Sequence, residues 1–186
     1  NGEGSGLSLD RLYFDIDRKG VDVNIAQEVT AYFVDHIQTD SQFKSIVGHF
    51  KLFVLWTGHS FHVYVLLQKP LYHSYYERFI SYTKEEPLRS FTGRWAAMIA
   101  QELSVKVQGG HEKKEGWVTI DSSQSPSGKL ARCPFSLHVN SPGGFDGIAL
   151  PADIKRLRDT TLIKELQSYT PKKVLQHLNA FAKLIP

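Results

Sequence analysis

Two aspartates, Asp15 and Asp17, stand two residues apart at the end of a segment in which Leu12, Phe14 and Ile16 alternate with other residues. A period of two marks a β-strand, and side chains two apart on a strand share a face, so both carboxylates can reach one cation or a close pair. Oxygen donors of this kind suit Mg²⁺ or Mn²⁺, which keep coordination positions for substrate phosphates. An isolated Asp-x-Asp equally suits a solvated strand end ahead of Arg18-Lys19-Gly20. Ser60 and His62 repeat the spacing at the start of another apolar run, where hydroxyl and imidazole can meet a phosphate or serve a hairpin backbone. Asp121 closes Trp117-Val118-Thr119-Ile120, as a third strand-end carboxylate or a turn residue before Ser122-Ser123. Further on, Arg132, Ser136 and His138 offer a planar cationic fork, a hydroxyl and an imidazole, a set able to grip a triphosphate if the segment is extended.

These residues need elements to hold them. Leu7 to Asp17 reads as a strand, and after the Lys19-Gly20 turn Ile25, Val29, Phe33 and Ile37 recur at helical spacing, with Asn24 placed to cap. Phe50–Trp56 and Phe61–Leu67 are β-rich runs separated by Thr57-Gly58-His59-Ser60, a hairpin whose second strand Pro70 ends. Tyr72–Tyr82 and Ser90–Leu103 read as helices, Gln108–Gly116 as a polar connection and Trp117–Ile120 as a short strand. Ser122–Gly128 reads as loop and Lys129–Ser136 as an extended piece interrupted by Pro134. From Pro151 onward the pattern is helical, with Thr170-Pro171 as a helix start and Leu175, Leu178 and Phe181 as its apolar stripe. The order of elements predicts an α+β fold with an RRM-like core, over about 7–150, and a helical tail over 151–186. The whole of 7–186 reads as one domain, and Asn1–Gly6 as a flexible leader.

Taken together, the motifs resemble those of the archaeo-eukaryotic primase superfamily (primase-polymerases): small primase subunits, plasmid primase-polymerases and the polymerase domain of bacterial end-joining ligases. Tyr13-Phe14-Asp15-Ile16-Asp17 resembles the family's aspartate pair. Thr57-Gly58-His59-Ser60-Phe61-His62 resembles its SGxGxH element, Asp121 its third carboxylate, and Arg132-Cys133-Pro134-Phe135-Ser136-Leu137-His138 a stretch like RLPGSLHGK. The resemblance implies a nucleotidyltransferase that adds nucleotides from NTP or dNTP to a nucleic-acid 3′-hydroxyl, or starts primers, with two Mg²⁺ or Mn²⁺ ions on Asp15, Asp17 and Asp121. It implies that Ser60, His62, Arg132, Ser136 and His138 contact the nucleotide. It also implies a DNA template and primer as partners, with a large primase subunit, helicase or other replication or repair protein supplying template handling. The chain departs from the pattern at Thr57, at Ser60 in place of glycine, and at Asn140 in place of a lysine. It lacks the zinc-binding insertion of many small primase subunits, so no structural zinc is expected.

Two other readings use the same residues. A rolling-circle endonuclease would take metal on His59 and His62 and a nucleophile from Tyr72, Tyr75 or Tyr76, but the two intervening residues place that histidine pair on opposite faces of a strand. A non-catalytic RRM-like module would bind nucleic acid or a partner subunit through exposed aromatics. The bulk composition separates none of these. A net charge of +3 permits a nucleic-acid partner, and the single cysteine, Cys133, excludes an intramolecular disulfide and a Cys-based zinc site. The cysteine usage and the lack of a signal peptide predict an intracellular setting, cytoplasmic or nucleoid. No stretch is long and apolar enough for a membrane helix, so no membrane partner is expected.

Overall fold

Alternation on one strand organises the molecule. The computed structural model describes residues 8–126, 130–139 and 143–186. β1 (Ser8–Lys19) buries Leu12, Phe14 and Ile16 completely on one face, against α1 (Val23–Thr39) and α4 (Phe91–Leu103). Phe14 meets Phe33 of α1 and Trp95 of α4 edge to face, at ring separations of 4.9 and 6.5 Å. The short helix α2 (Ser41–Val47) adds Phe43 to the same aromatic group. The alternate residues Tyr13, Asp15 and Asp17 therefore face away from the main core.

Around β1 lies a six-stranded mixed sheet in the order β4-β5-β1-β3-β2-β8. Its members are β2 (Phe50–Trp56), β3 (Phe61–Tyr72), β4 (Val107–Gly109), β5 (Trp117–Asp121) and β8 (Leu150–Ala152). β4 runs parallel to β5; the other pairings are antiparallel. A separate hairpin of β6 (Leu137–Val139) and β7 (Phe145–Ile148) stands beside the β2–β3 turn. Gly58 and Gly147 let these two backbones meet: a Cβ on Gly58, whose φ is +94°, would lie 3.1 Å from the Gly147 Cα. The architecture is the expected α+β one.

Several boundaries differ from the sequence reading. Asp22 caps α1, its carboxylate accepting from the Asn24 N–H at 2.8 Å, so Asn24 is the capped residue rather than the cap. Pro70 does not end β3. The strand bulges between the pairs Arg11–Leu66 and Leu9–Leu71, and a proline without an N–H sits in that bulge at no loss to the ladder. Tyr72–Tyr82 forms only a short turn, α3 (His73–Tyr75), continuing as a wider π-type turn over Tyr76–Ile80 that the Ser81 N–H closes on the Tyr76 carbonyl at 2.8 Å. The segment before Ser136 turns at Phe135, whose φ is +68°, and the extended piece comes later, as β6.

Pro151 opens no helix. It lies in β8, an edge strand paired with β2, where a missing N–H is tolerated, and the helices start only after Asp153. They are a 3₁₀ turn (Ile154–Arg156), α5 (Leu162–Gln167) and α6 (Pro171–Ala182), the last capped by Thr170 as expected. In α6 the inward residues are Val174 and Phe181, while Leu175 is 72% exposed and Leu178 40%. No helix among the described residues is long and apolar enough to cross a membrane. Asn140, Gly128, Lys129 and the leader Asn1–Gly6 lie outside the described residues.

Candidate active site

The ladder places the predicted carboxylates side by side. Asp15 pairs in register with Asp121 of β5 on one side and with His62 of β3 on the other, and Asp17 lies two residues further along β1, opposite Thr119. β5 stops at Asp121. Beyond it the Ser125 hydroxyl takes over, accepting from the Tyr13 N–H and donating to the Tyr13 carbonyl, each at 2.9 Å. One serine thus satisfies the β1 backbone where a strand would otherwise continue, and the sheet opens into a cleft at that point.

That cleft, about 430 Å³, is lined by Asp15, His62 and Tyr13 from the sheet and by Arg132, Ser136 and Leu137 from the approach to β6. His62 is held at both nitrogens: Nδ1 lies 2.9 Å from the Tyr13 hydroxyl and Nε2 3.3 Å from Asp15 Oδ1. Burial, with the Asp15 charge added, pushes the Tyr13 phenol well above its ordinary range, so it keeps its proton and donates to Nδ1. The tautomer that satisfies both neighbours then carries its proton on Nε2, directed at Asp15.

Asp17 is pulled in two directions. Burial and the neighbouring Asp15 raise its pKa, while the Lys113 ammonium, 2.7 Å from Oδ2, pulls the other way. Asp121 is buried and occupied: Oδ1 accepts from the Ser123 N–H at 2.8 Å and Oδ2 from the Ser123 hydroxyl at 3.0 Å. Among the described residues, no three His, Cys, Asp or Glu side chains are gathered closely enough to hold a metal ion.

Two predicted contacts lie elsewhere. Ser60 is buried, and its hydroxyl donates to the Ile16 carbonyl, so it ties the β2–β3 turn to β1 rather than lining the cleft. Thr57 completes that turn, its hydroxyl accepting from the Ser60 N–H at 2.9 Å. His138 joins a second group, its Nδ1 2.8 Å from Asp146 and its ring stacked on His59 with centroids 5.9 Å apart. Arg18 reaches into the same group, donating to the His59 carbonyl at 2.9 Å. Arg132 turns one guanidinium nitrogen to the Leu137 carbonyl at 3.2 Å, and Ser136 bonds the Cys133 carbonyl at 2.7 Å; both remain on the cleft wall.

The rolling-circle reading fails on geometry. His59 is engaged by Arg18 and His138, and Tyr72 lies ten residues from His62 along one strand, roughly 30 Å at about 3.3 Å per residue. Tyr76 is buried, its hydroxyl donating to the Ser122 carbonyl. Sequence reasoning missed Tyr13, though it shares the parity of Asp15 and Asp17 and that signal was available. It also missed Lys113, which lies in a connection whose sequence gives no hint of where it folds.

No protein-family model matches this chain, and no curated protein sequence does. Among solved structures it resembles the polymerase domain from Mycobacterium tuberculosis Ligase D, solved in complex with DNA: the TM-score is 0.59, with 20% identity over 92% of this chain and 52% of that one. The chain thus spans about half the length of that structure, and shares with it the fold.

Proposed function

We propose that the chain carries the catalytic face of a nucleotidyltransferase that extends nucleic acid with nucleoside triphosphates. One observation carries the reading: Asp15 and Asp17 share the outward face of a central strand, and Asp15 lines a cleft together with His62, Arg132 and Ser136. The likeness in fold to a polymerase domain supports it.

The donor set fits a hard divalent cation. Two neighbouring carboxylates repel each other in a half-buried setting, and an ammonium already sits against one of them where a metal's charge would serve. Asp15 and Asp17 would hold Mg²⁺ or Mn²⁺, and Asp121 would join them on exchanging its bonds to Ser123. When bound, the ions would supply activation of the attacking hydroxyl and offset charge on the phosphates.

The remaining groups act by position. Tyr13 fixes the His62 ring, and His62 in turn fixes Asp15 Oδ1, so the carboxylate is oriented before any ligand arrives. Arg132 and Ser136 would present donors to the triphosphate from the opposite wall, while His138, in β6, stays with Asp146 and His59 outside the cleft. Donors on one wall facing carboxylates on the other leave positioning and electrostatics as the source of rate.

The test is primer extension on a primed single-stranded template with each nucleotide type, in Mn²⁺ and then Mg²⁺, beside an Asp15→Ala, Asp17→Ala double variant. Extension that vanishes in the variant supports the reading. Absence both of extension and of metal-dependent triphosphate binding by calorimetry would leave a binding module in its place.

A further inference from the structure

The cleft at Asp15 does not end there. A second cavity of about 310 Å³ shares Tyr13, Gln124 and Ala131 with it and continues along β1 past Arg11 to Ser8 and Pro70. The floor is the part of β1 that β5 leaves uncovered beyond Asp121. From Asp15 to Ser8 this is seven residues of strand, or about 20 Å. The lining mixes hydrogen-bonding groups (Ser8, Gln124, Ser125 and Arg11, the last paired with Asp10 at 3.2 Å) with Leu9, Pro70, Pro126 and Ala131.

At the far end stand two aromatic rings that are exposed among the described residues. Tyr72 pairs in register with Ser8 and is 64% exposed; Tyr75, one turn on, is 45% exposed. Tyr75 leans on Phe79 at 5.9 Å, and the Arg78 guanidinium lies 5.0 Å over that ring. Leu71 before them and Tyr76 after them are buried, so the chain here is anchored and the tyrosines are presented rather than frayed. Tyr72, opposite Ser8 at the end of this groove, with Tyr75 and Arg78 following it in the chain, has the composition of a platform on which unpaired bases stack.

We propose that this groove is a track for single-stranded nucleic acid, with Tyr72 and Tyr75 stacking on its bases where the strand enters or leaves the candidate active site. The inference rests on the nucleotidyltransferase reading, and it gives that reading's substrate a path to Asp15. Stacking is indifferent to base identity, so the track reads no sequence. A duplex, with its bases already stacked on one another, gains nothing from the two rings.

The test is fluorescence anisotropy with a labelled twelve-residue oligothymidylate at low salt. Wild type binds it; Tyr72→Ala and Tyr75→Ala each weaken binding by roughly 5- to 100-fold, the loss of one stacked base, and Tyr72→Trp binds as tightly as wild type or more so. A variant on a distant surface, Leu175→Ala, leaves binding unchanged. Alanine variants that bind like wild type overturn the proposal, as does an equally tight, variant-insensitive affinity for duplex of the same length. Mn²⁺-dependent binding of a non-hydrolysable nucleoside triphosphate is measured in parallel. Triphosphate binding without oligonucleotide binding overturns the track alone, and loss of both overturns the underlying reading.

Discussion

Replacing Asp17 with asparagine should stabilise the metal-free protein, although it removes a residue central to the proposed chemistry. Asp15 and Asp17 are two residues apart on one face of β1, about 7 Å at strand spacing. Two unit charges at that distance repel by about 2 kcal/mol at an effective dielectric constant near 20. Against this stands the loss of the Lys113 pair, and with the lysine side chain 54% exposed that pair is worth at most about 1 kcal/mol. The net gain for Asp17→Asn is about 1 kcal/mol, or roughly 2–4 °C in Tm for a domain of this size. The sign of the pH dependence follows. Because the folded state raises the Asp17 pKa above its ordinary 3.8, the native protein holds the extra proton between those two values, and wild-type stability falls as pH rises through that window. The advantage of the asparagine variant is therefore full at neutral pH and fades as pH drops below the ordinary carboxylate value. Thermal unfolding in chelator at several pH values reads this directly. Added Mn²⁺ should reverse the order, since a hundredfold excess over Kd stabilises the binder by about 2.7 kcal/mol and the variant gains less. A variant less stable than wild type in chelator at neutral pH would refute the reasoning.

Lys113→Met should tighten Mn²⁺ binding several-fold by calorimetry, since the ammonium on Asp17 Oδ2 competes with an incoming cation. Gly58→Ala should destabilise by about 1–3 kcal/mol in denaturant unfolding, because its φ of +94° and the 3.1 Å approach to the Gly147 Cα leave a methyl group nowhere to go. Thr170→Ala should cost about 1 kcal/mol, seen as a lower unfolding midpoint, by removing the hydroxyl that accepts from the Lys173 N–H. His59→Gln should flatten the stability profile between neutral pH and pH 5. Burial, and then Arg18, hold the His59 pKa below its ordinary 6.5, so wild type loses stability as pH falls through that value.

The face of β1 was legible because it rests on a period of two: once Leu12, Phe14 and Ile16 are assigned to the core, Asp15 and Asp17 have one place to go. The β2–β3 hairpin was legible for the same reason, from two dense apolar runs and a four-residue break. What escaped were features decided by tertiary contact. β8 is three residues long and contains a proline, so nothing local marks it as a strand; its membership comes from the free edge of β2. The wider turn at Tyr76–Ile80 depends on Thr92 and Ser122, which both bond the Ile80 carbonyl from distant parts of the chain. Ser60 shows the limit of reading by parity. Its spacing from His62 matched a ligand pair, but the hydroxyl of a residue in a tight turn bonds a carbonyl within reach, and here that belongs to Ile16 of the neighbouring strand.

The site and the fold are specified by the same few residues, and this constrains how the site can vary. A one-residue slip of β1 against β3 would drive Asp15 and Asp17 into the group formed by Phe33, Phe43 and Trp95 and push Phe14 into water. Burying two carboxylates there without partners is far more costly than any packing gain, so the charges act as register markers as well as candidate ligands. The open half of the sheet works in the opposite sense. Ser125 stands in for a strand along the upper part of β1 with two hydrogen bonds from one side chain, leaving the groove free of backbone that a continued β5 would have filled. The candidate site is therefore held by the sheet where the carboxylates sit and accessible where β5 has ended. That division follows from the single residue, Asp121, at which the neighbouring strand stops.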